Sequence, residues 1–191
     1  MEFEEVLKAR RAVREYRDGE ITDGQIRRLF DLASLTPSAY NLQPWEFIVV
    51  RDKQKKKLLR KCCNDQEHVE KASAAVIIIS NTDPTAYLND IDADEKKRGR
   101  AMMRAQRPIA EKIAWARRDG NLAAMTIMLA AQSIGFSTCP IGAMDEQMVR
   151  KEFGIPEKFE LVLVLTLGYG KAPAPRPQRK NFEGMVHFEK F

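Results

Sequence analysis

Long hydrophobic runs, cysteine frameworks and glycine-rich phosphate loops are all missing from this 191-residue chain. No stretch reaches the roughly 20 apolar residues that a membrane span needs; the longest candidates, Ala74–Ile79 and Leu161–Leu167, have the length of strands. The opening MEFEEVLKAR is acidic and helical in pattern, unlike a basic-then-apolar signal peptide, so a cytoplasmic setting is expected. The three cysteines, Cys62, Cys63 and Cys139, are an odd count, and the adjacent pair points to different sides of any regular element. No disulfide framework is visible. With only His68 and His187 besides, no metal-ligand spacing is present. Gly168-Tyr169-Gly170-Lys171 lacks the GxxxxGK[ST] spacing and runs into Ala172-Pro173. No GxGxxG follows the first strand, Ser38 has no GxSxG elbow, and neither histidine has a nucleophile partner in sequence. Dinucleotide-fingerprint, P-loop and hydrolase chemistries are therefore unsupported.

What is present suits one domain with a sizeable core: 44% of residues are hydrophobic, and no Gly/Ser linker or internal repeat divides the chain. The net charge of +5 permits nucleic-acid binding without arguing for it, because both signs are mixed along the sequence; no nucleic-acid partner is expected. One local excess stands out. Lys8, Arg10, Arg11, Arg14 and Arg17 crowd into the first helix and the turn after it.

The hydrophobic spacing predicts a helix over Glu2–Ala9 and a second one N-capped by Thr22, ending at Thr36-Pro37. A polar loop, Pro37–Pro44, leads to a strand at Trp45–Val50, a basic helix at Lys53–Cys62 and a strand at Ala74–Ser80. Residues 81–108 are polar and charge-dense, and 81–118 reads as an excursion from the core, with a lid and a plain insertion equally compatible. Asp119–Ile134 is small and apolar almost all round, a helix to be buried in the core or between subunits, with Gly135 stopping it. A helix near Asp145–Phe153, a strand at Leu161–Leu167 and an extended Pro- and Arg-rich arm over 172–191 complete a single domain, 1–191. Helices and strands alternate irregularly, which places the fold in the α+β or α/β range.

Three segments carry a specific signal. They are Arg10-Arg11-Ala12-Val13-Arg14-Glu15-Tyr16, Pro37-Ser38-Ala39-Tyr40-Asn41-Leu42-Gln43-Pro44-Trp45, and Asp119 leading through its small-residue helix to Gly135-Phe136-Ser137-Thr138-Cys139-Pro140-Ile141-Gly142-Ala143. In this order they resemble the nitroreductase family nearly end to end. The resemblance implies an α+β three-layer fold, with a central mixed or antiparallel sheet flanked by helices, and an intertwined homodimer with FMN at the subunit interface. It also implies electron transfer from NADH or NADPH, by ping-pong hydride transfer, to a small electron-poor acceptor such as a nitroaromatic, quinone or enone. Specialised members dehalogenate, fragment flavin or oxidise azolines, and a flavin-binding protein without nicotinamide-driven turnover is the alternative of a different class.

Residue chemistry fits that cofactor independently. A phosphate dianion is best met by guanidinium forks, which Arg10 and Arg11 supply from one side and Arg179 with Lys180 from the tail, although solvated surface arginines would read the same way. By the family's motif Arg14 is the cation for the N1–C2=O edge of the flavin, and Gly142 and Ala143, after Pro140 and Ile141, supply backbone N–H groups to N5, the hydride-accepting atom. Those small residues would equally suit an ordinary tight turn. Asn41 and Gln43 are amides able to donate and accept at once. The family implies that Pro37, Ser38, Ala39 and Asn41 reach FMN from the partner subunit; contact within one chain is indistinguishable at this level. Gln66 matches a family position that places an amide on the pyrimidine ring. Two departures stand out: Ala12 replaces the family's serine, and Gly142 replaces a glutamate often seen beside N5. No protein side chain is assigned as catalytic, since the cofactor carries the chemistry. Tyr87, Trp115 and the rest of 81–118 are candidates for shaping the acceptor pocket or for ordinary packing.

Overall fold

A strand that is apolar on both faces sets the layering. The computed structural model describes residues 2–191, with helices α1 (Phe3–Ala9), α2 (Asp23–Ala33), α3 (Lys53–Cys62), α4 (His68–Lys71), α5 (Glu95–Ala105), α6 (Ile109–Ser133) and α7 (Glu146–Phe153). The strands are β1 (Tyr16–Arg17), β2 (Trp45–Val50), β3 (Ala74–Asn81), β4 (Ser137–Ile141) and β5 (Phe159–Gly170). All eight residues of β3 are buried. Alternate side chains of a strand face opposite ways, so Ala75, Ile77 and Ile79 enter one core with Leu59 of α3, Val69 of α4 and Val149 of α7. Ala74, Val76 and Ile78 enter the other with Leu29 of α2 and Ala124, Ile127 and Ala131 of α6. The result is helices, sheet, helices.

The five-stranded sheet is antiparallel in every strand pair, with β5 at its centre, β3 and then β2 on one side, and β4 on the other. A bulge between Ile78 and Ile79 skips Val162 of β5. It changes the phase of that strand, so Leu161 and Val164 share one core while Leu165 and Leu167 point into the other.

Most boundaries follow local signals. Thr22 caps α2 in a reciprocal pair with Gln25, Asp145 caps α7, and Gly135, with φ of +90°, ends the long helix. The sequence reading lacked the short elements β1 and α4, and three further features differ from it. Helix α6 begins at Ile109 on Pro108, ten residues before Asp119, because the charges of 109–118 masked a continuous helical stretch. The short strand β4 occupies what read only as a turn-bearing motif, and β5 runs three residues beyond Leu167. The excursion therefore divides: α5 packs its Ala101 with Leu88 and Leu42, while residues 109–118 are the first turns of α6. No helix of the described residues is long and apolar enough to cross a membrane.

The extra length of β5 depends on missing side chains. A Cβ at Gly170 would lie 2.7 Å from Ser137 Cβ and 2.9 Å from Val13 Cγ1, neither of which can rotate away cheaply. Gly170→Ala should therefore cost about 1–3 kcal/mol of stability by overpacking, read as a lowered urea midpoint with unchanged slope.

Candidate functional site

The segment after α1 is tied to the sheet by main-chain and hydroxyl bonds. Val13 N–H donates to Thr138 O at 2.9 Å, and Ala12 bridges Thr138 in parallel. Tyr16 pairs with Gly170, its hydroxyl donates to Val13 O at 2.8 Å, and Thr166 Oγ1 lies 2.7 Å from the same hydroxyl and 3.3 Å from Cys139 O. Burial pushes the Tyr16 phenol well above its ordinary pKa, so it stays a neutral donor. Residues 10–17 are thereby fixed beside β4, the strand that ends in Pro140-Ile141 and gives way to Gly142-Ala143.

Four guanidinium groups gather at this seam. Arg11 Nη1 donates to Lys8 O at 2.6 Å and Arg10 O at 3.1 Å, while Arg176 Nη2 donates to Leu7 O, Lys8 O and Arg10 O at 2.8–3.1 Å. Both thus sit on the last carbonyls of α1, the negative end of its dipole. Arg10, left over from that capping, is half-buried; burial first, then the neighbouring charges of Arg176 and Arg179, hold its pKa below the ordinary value. None of the four forms an ion pair with a carboxylate among the described residues, although other arginines of the chain do. The buried Nε of Arg11 has no partner. A concentration of like charge, partly desolvated and without counterion, is a receptor for a multivalent anion.

Beyond this cluster lies a second set of groups. Gln66 Nε2 donates to Ala143 O at 3.2 Å and to Cys63 O at 3.0 Å, so the amide and the Gly142-Ala143 turn are neighbours. The N–H groups of Gly142 and Ala143 are exposed and donate to nothing among the described residues. Arg14, exposed, lines a cavity of about 380 Å³ together with His68, Glu15, Glu67, Lys71 and Lys171. His68 is 6% exposed and its Nε2 has no partner. Burial and then the Arg14 charge keep its pKa below the usual histidine value.

The Pro37–Pro44 loop sits elsewhere in the chain. Ala39 N–H donates to Asp119 Oδ2 at 3.4 Å, and Tyr40 faces Arg100 and Arg104 of α5. Tyr40, Asn41 and Gln43 have φ of 57°, 57° and 47°, the left-handed region that costs a non-glycine residue about 1 kcal/mol or more. Ser38 Oγ holds the loop by accepting from Gln43 N–H at 2.9 Å. Such strain clusters where surrounding structure over-determines a functional backbone. No hydrogen bond or ion pair joins this loop to the arginine cluster among the described residues.

Of the residues singled out in the sequence, Arg10, Arg11 and Arg179 converge, Ala12 and Arg14 lie on the same seam, and Gln66 meets the Pro140–Ala143 segment. Pro37, Ser38, Ala39, Asn41 and Gln43 form their own strained group, and Lys180 is simply exposed. Sequence reasoning missed Arg176 and His68. The run Pro173-Ala174-Pro175-Arg176-Pro177 held the only available hint of Arg176, an arginine fixed between prolines; nothing marked His68.

The sequence profile of the nitroreductase family matches residues 7–169. The chain belongs to the nitroreductase family. Relatives include the Bacillus subtilis protein named "Putative NAD(P)H nitroreductase YodC", 29% identical over 86% of this chain and 87% of that protein. An Archaeoglobus fulgidus protein named "Putative NADH dehydrogenase/NAD(P)H nitroreductase" is 31% identical over 87% of this chain and 86% of its own length. The Bacillus subtilis crystal structure described as "putative nitroreductase ydfN" superposes with a TM-score of 0.91 at 27% identity, covering 98% of both chains. Family membership and fold agree with the α+β, helix-flanked antiparallel sheet described above.

The unpartnered His68 has a measurable consequence. Its folded pKa is depressed, so below about pH 6.5 the unfolded chain takes up a proton that the folded chain refuses. Stability should fall as pH drops from about 6.5 toward the lower folded value, and His68→Gln should flatten that part of the profile in urea titrations.

Proposed function

We propose that the chain is an FMN-dependent oxidoreductase that draws reducing equivalents from NADH or NADPH and passes them in ping-pong order to a small electron-poor acceptor, a nitroaromatic or quinone. The observation that carries this reading is the convergence of Arg10, Arg11, Arg176 and Arg179 without a carboxylate among them. The residues present fit FMN at three separate points. Arg10 and Arg179 hold the phosphate, with Arg11 and Arg176 fixing that corner through the α1 carbonyls. The free N–H groups of Gly142 and Ala143 and the adjacent Gln66 amide answer the hydrogen-bonding edge of the ring. Arg14 is the cation for its electron-rich edge.

Bound there, FMN supplies the two-electron chemistry. The chain's part is to bind, orient and tune it, consistent with a site that has no nucleophile–base pair. The names of the relatives support a nicotinamide donor.

The functional unit in this reading is a homodimer, in which the Pro37–Gln43 loop completes the partner's site. Exposed Leu122 and Met125 on α6, and Phe182, Met185, Phe188 and Phe191 on the 172–191 arm, are apolar surface that a second subunit would cover. Residues 81–118 form a wall or lid of the acceptor pocket. A cytoplasmic setting accords with three free, buried cysteines.

The test is spectroscopic. Purified protein loaded with FMN should sediment at twice the 21.8 kDa chain mass, show flavin absorbance, bleach anaerobically with NADH or NADPH, and regain colour with menadione. Refusal of FMN would overturn the reading. A yellow protein that no nicotinamide bleaches would instead mark a flavin carrier or a different electron donor.

A further inference from the structure

A second concentration of arginine lies between α5, α6 and the Pro37–Pro44 loop. Tyr40, Trp115, Arg100, Arg104, Arg107 and Arg118 line a cavity of about 570 Å³ between α5, α6 and the strained loop. That volume lies within the range of small-molecule sites, roughly 300–1,000 Å³. Carboxylates account for two of the four arginines. Arg118 Nε meets Asp119 Oδ1 at 3.2 Å, and Arg107 Nε lies 3.9 Å from Glu111 Oε2.

Arg100 and Arg104 have no ion-pair partner among the described residues. Arg104 is stacked, its guanidinium carbon 4.0 Å from the Trp115 ring centre and 5.6 Å from that of Tyr40. Arg100 lies 5.4 Å from the Tyr40 ring centre and donates to its hydroxyl at 3.2 Å. Stacking uses the face of a guanidinium and leaves its in-plane N–H edge for an anion. Burial keeps the Arg104 pKa below its ordinary value, with Asp119 opposing that shift and Arg118 adding to it. The backbone strain at Tyr40, φ 57°, brings an aromatic ring to this cavity. Two aromatic rings and two guanidiniums without an ion pair among the described residues meet here beside a loop under strain.

We propose that this cavity binds a planar aromatic ring bearing an anionic group, the ring packing against Trp115 and Tyr40 and the anion meeting Arg100 and Arg104. Two sources share that chemistry: an electron acceptor carrying a carboxylate or sulfonate, and the adenine end of NADPH with its 2′-phosphate. Naming those sources rests on the oxidoreductase reading; binding itself does not.

Calorimetric titration of the FMN-loaded protein tests it without turnover. Naphthalene-2-carboxylate should bind at least tenfold more tightly than the neutral naphthalene-2-carboxamide, or 2′,5′-ADP at least tenfold more tightly than 5′-AMP. A preference in the first pair alone assigns the site to acceptors, and in the second alone to the dinucleotide. The double variant Arg100→Gln/Arg104→Gln should lose that preference while keeping its far-UV circular dichroism and urea midpoint; Arg100→Lys/Arg104→Lys, which retains the charge, should keep part of the preference. Equal binding within both pairs, or a preference that survives the glutamine variant, overturns the proposal. If the protein holds no FMN, the same titrations on the purified chain still decide this question, while the oxidoreductase reading fails by itself.

Discussion

Everything at the candidate flavin site hangs on one seam, where residues 10–17 lie against β4 and the end of β5. Val13 N–H on Thr138 O, the Tyr16 hydroxyl between Val13 O and Thr166, and the Tyr16–Gly170 pairing fix that segment with neutral, buried bonds. Such bonds are costly to leave unmade, which makes them a firm anchor. The anchor allows arginines to be crowded at its exposed end. Their mutual repulsion is tolerated because α1 offers its C-terminal carbonyls to two of them and the sheet does not yield to the rest. The crowded guanidiniums are thus held in place by buried bonds in which no charged side chain takes part.

The strained loop makes the complementary point. Three non-glycine residues in the left-handed region are held by Ser38 Oγ, Asp119 and the α5–α6 arginines, yet among the described residues no hydrogen bond or ion pair joins them to the arginine cluster of their own chain. The chain therefore presents two separate features, a cluster of arginines at one place and a strained, amide-bearing loop at another. In the homodimer proposed above, each loop would complete the other chain's receptor. The same pairing would also give the apolar surface of α6 and the C-terminal arm a purpose.

How much of this was legible beforehand varied with the kind of signal. The strands Trp45–Val50 and Ala74–Ser80, the helix Lys53–Cys62 and the Thr22, Asp145 and Gly135 boundaries were readable, because each rests on local periodicity, a capping side chain or a helix-ending glycine. The start of α6 was not, since charged residues on its exposed side disguised its first three turns. Strand β4 escaped because a five-residue edge segment containing Pro140 has little pattern of its own; pairing with β5 makes it a strand. At the candidate site, Arg10, Arg11 and Gln66 were singled out from motif position. Arg176 was passed over for the neighbouring Arg179, and His68 was seen only as a residue without a nucleophile partner. Their roles depend on contacts made across the whole length of the chain, and sequence spacing does not carry those.

The claim that the arginine seam holds a phosphate is tested most directly by comparing FMN with riboflavin, which shares the ring but lacks that group. Apoprotein titrated with each flavin, followed by quenching of flavin fluorescence, should bind FMN at least a hundredfold more tightly, with the difference shrinking as salt is raised. Equal affinities for the two flavins would contradict the account, because they would mean that the four guanidiniums gathered on α1 contribute nothing to holding the cofactor.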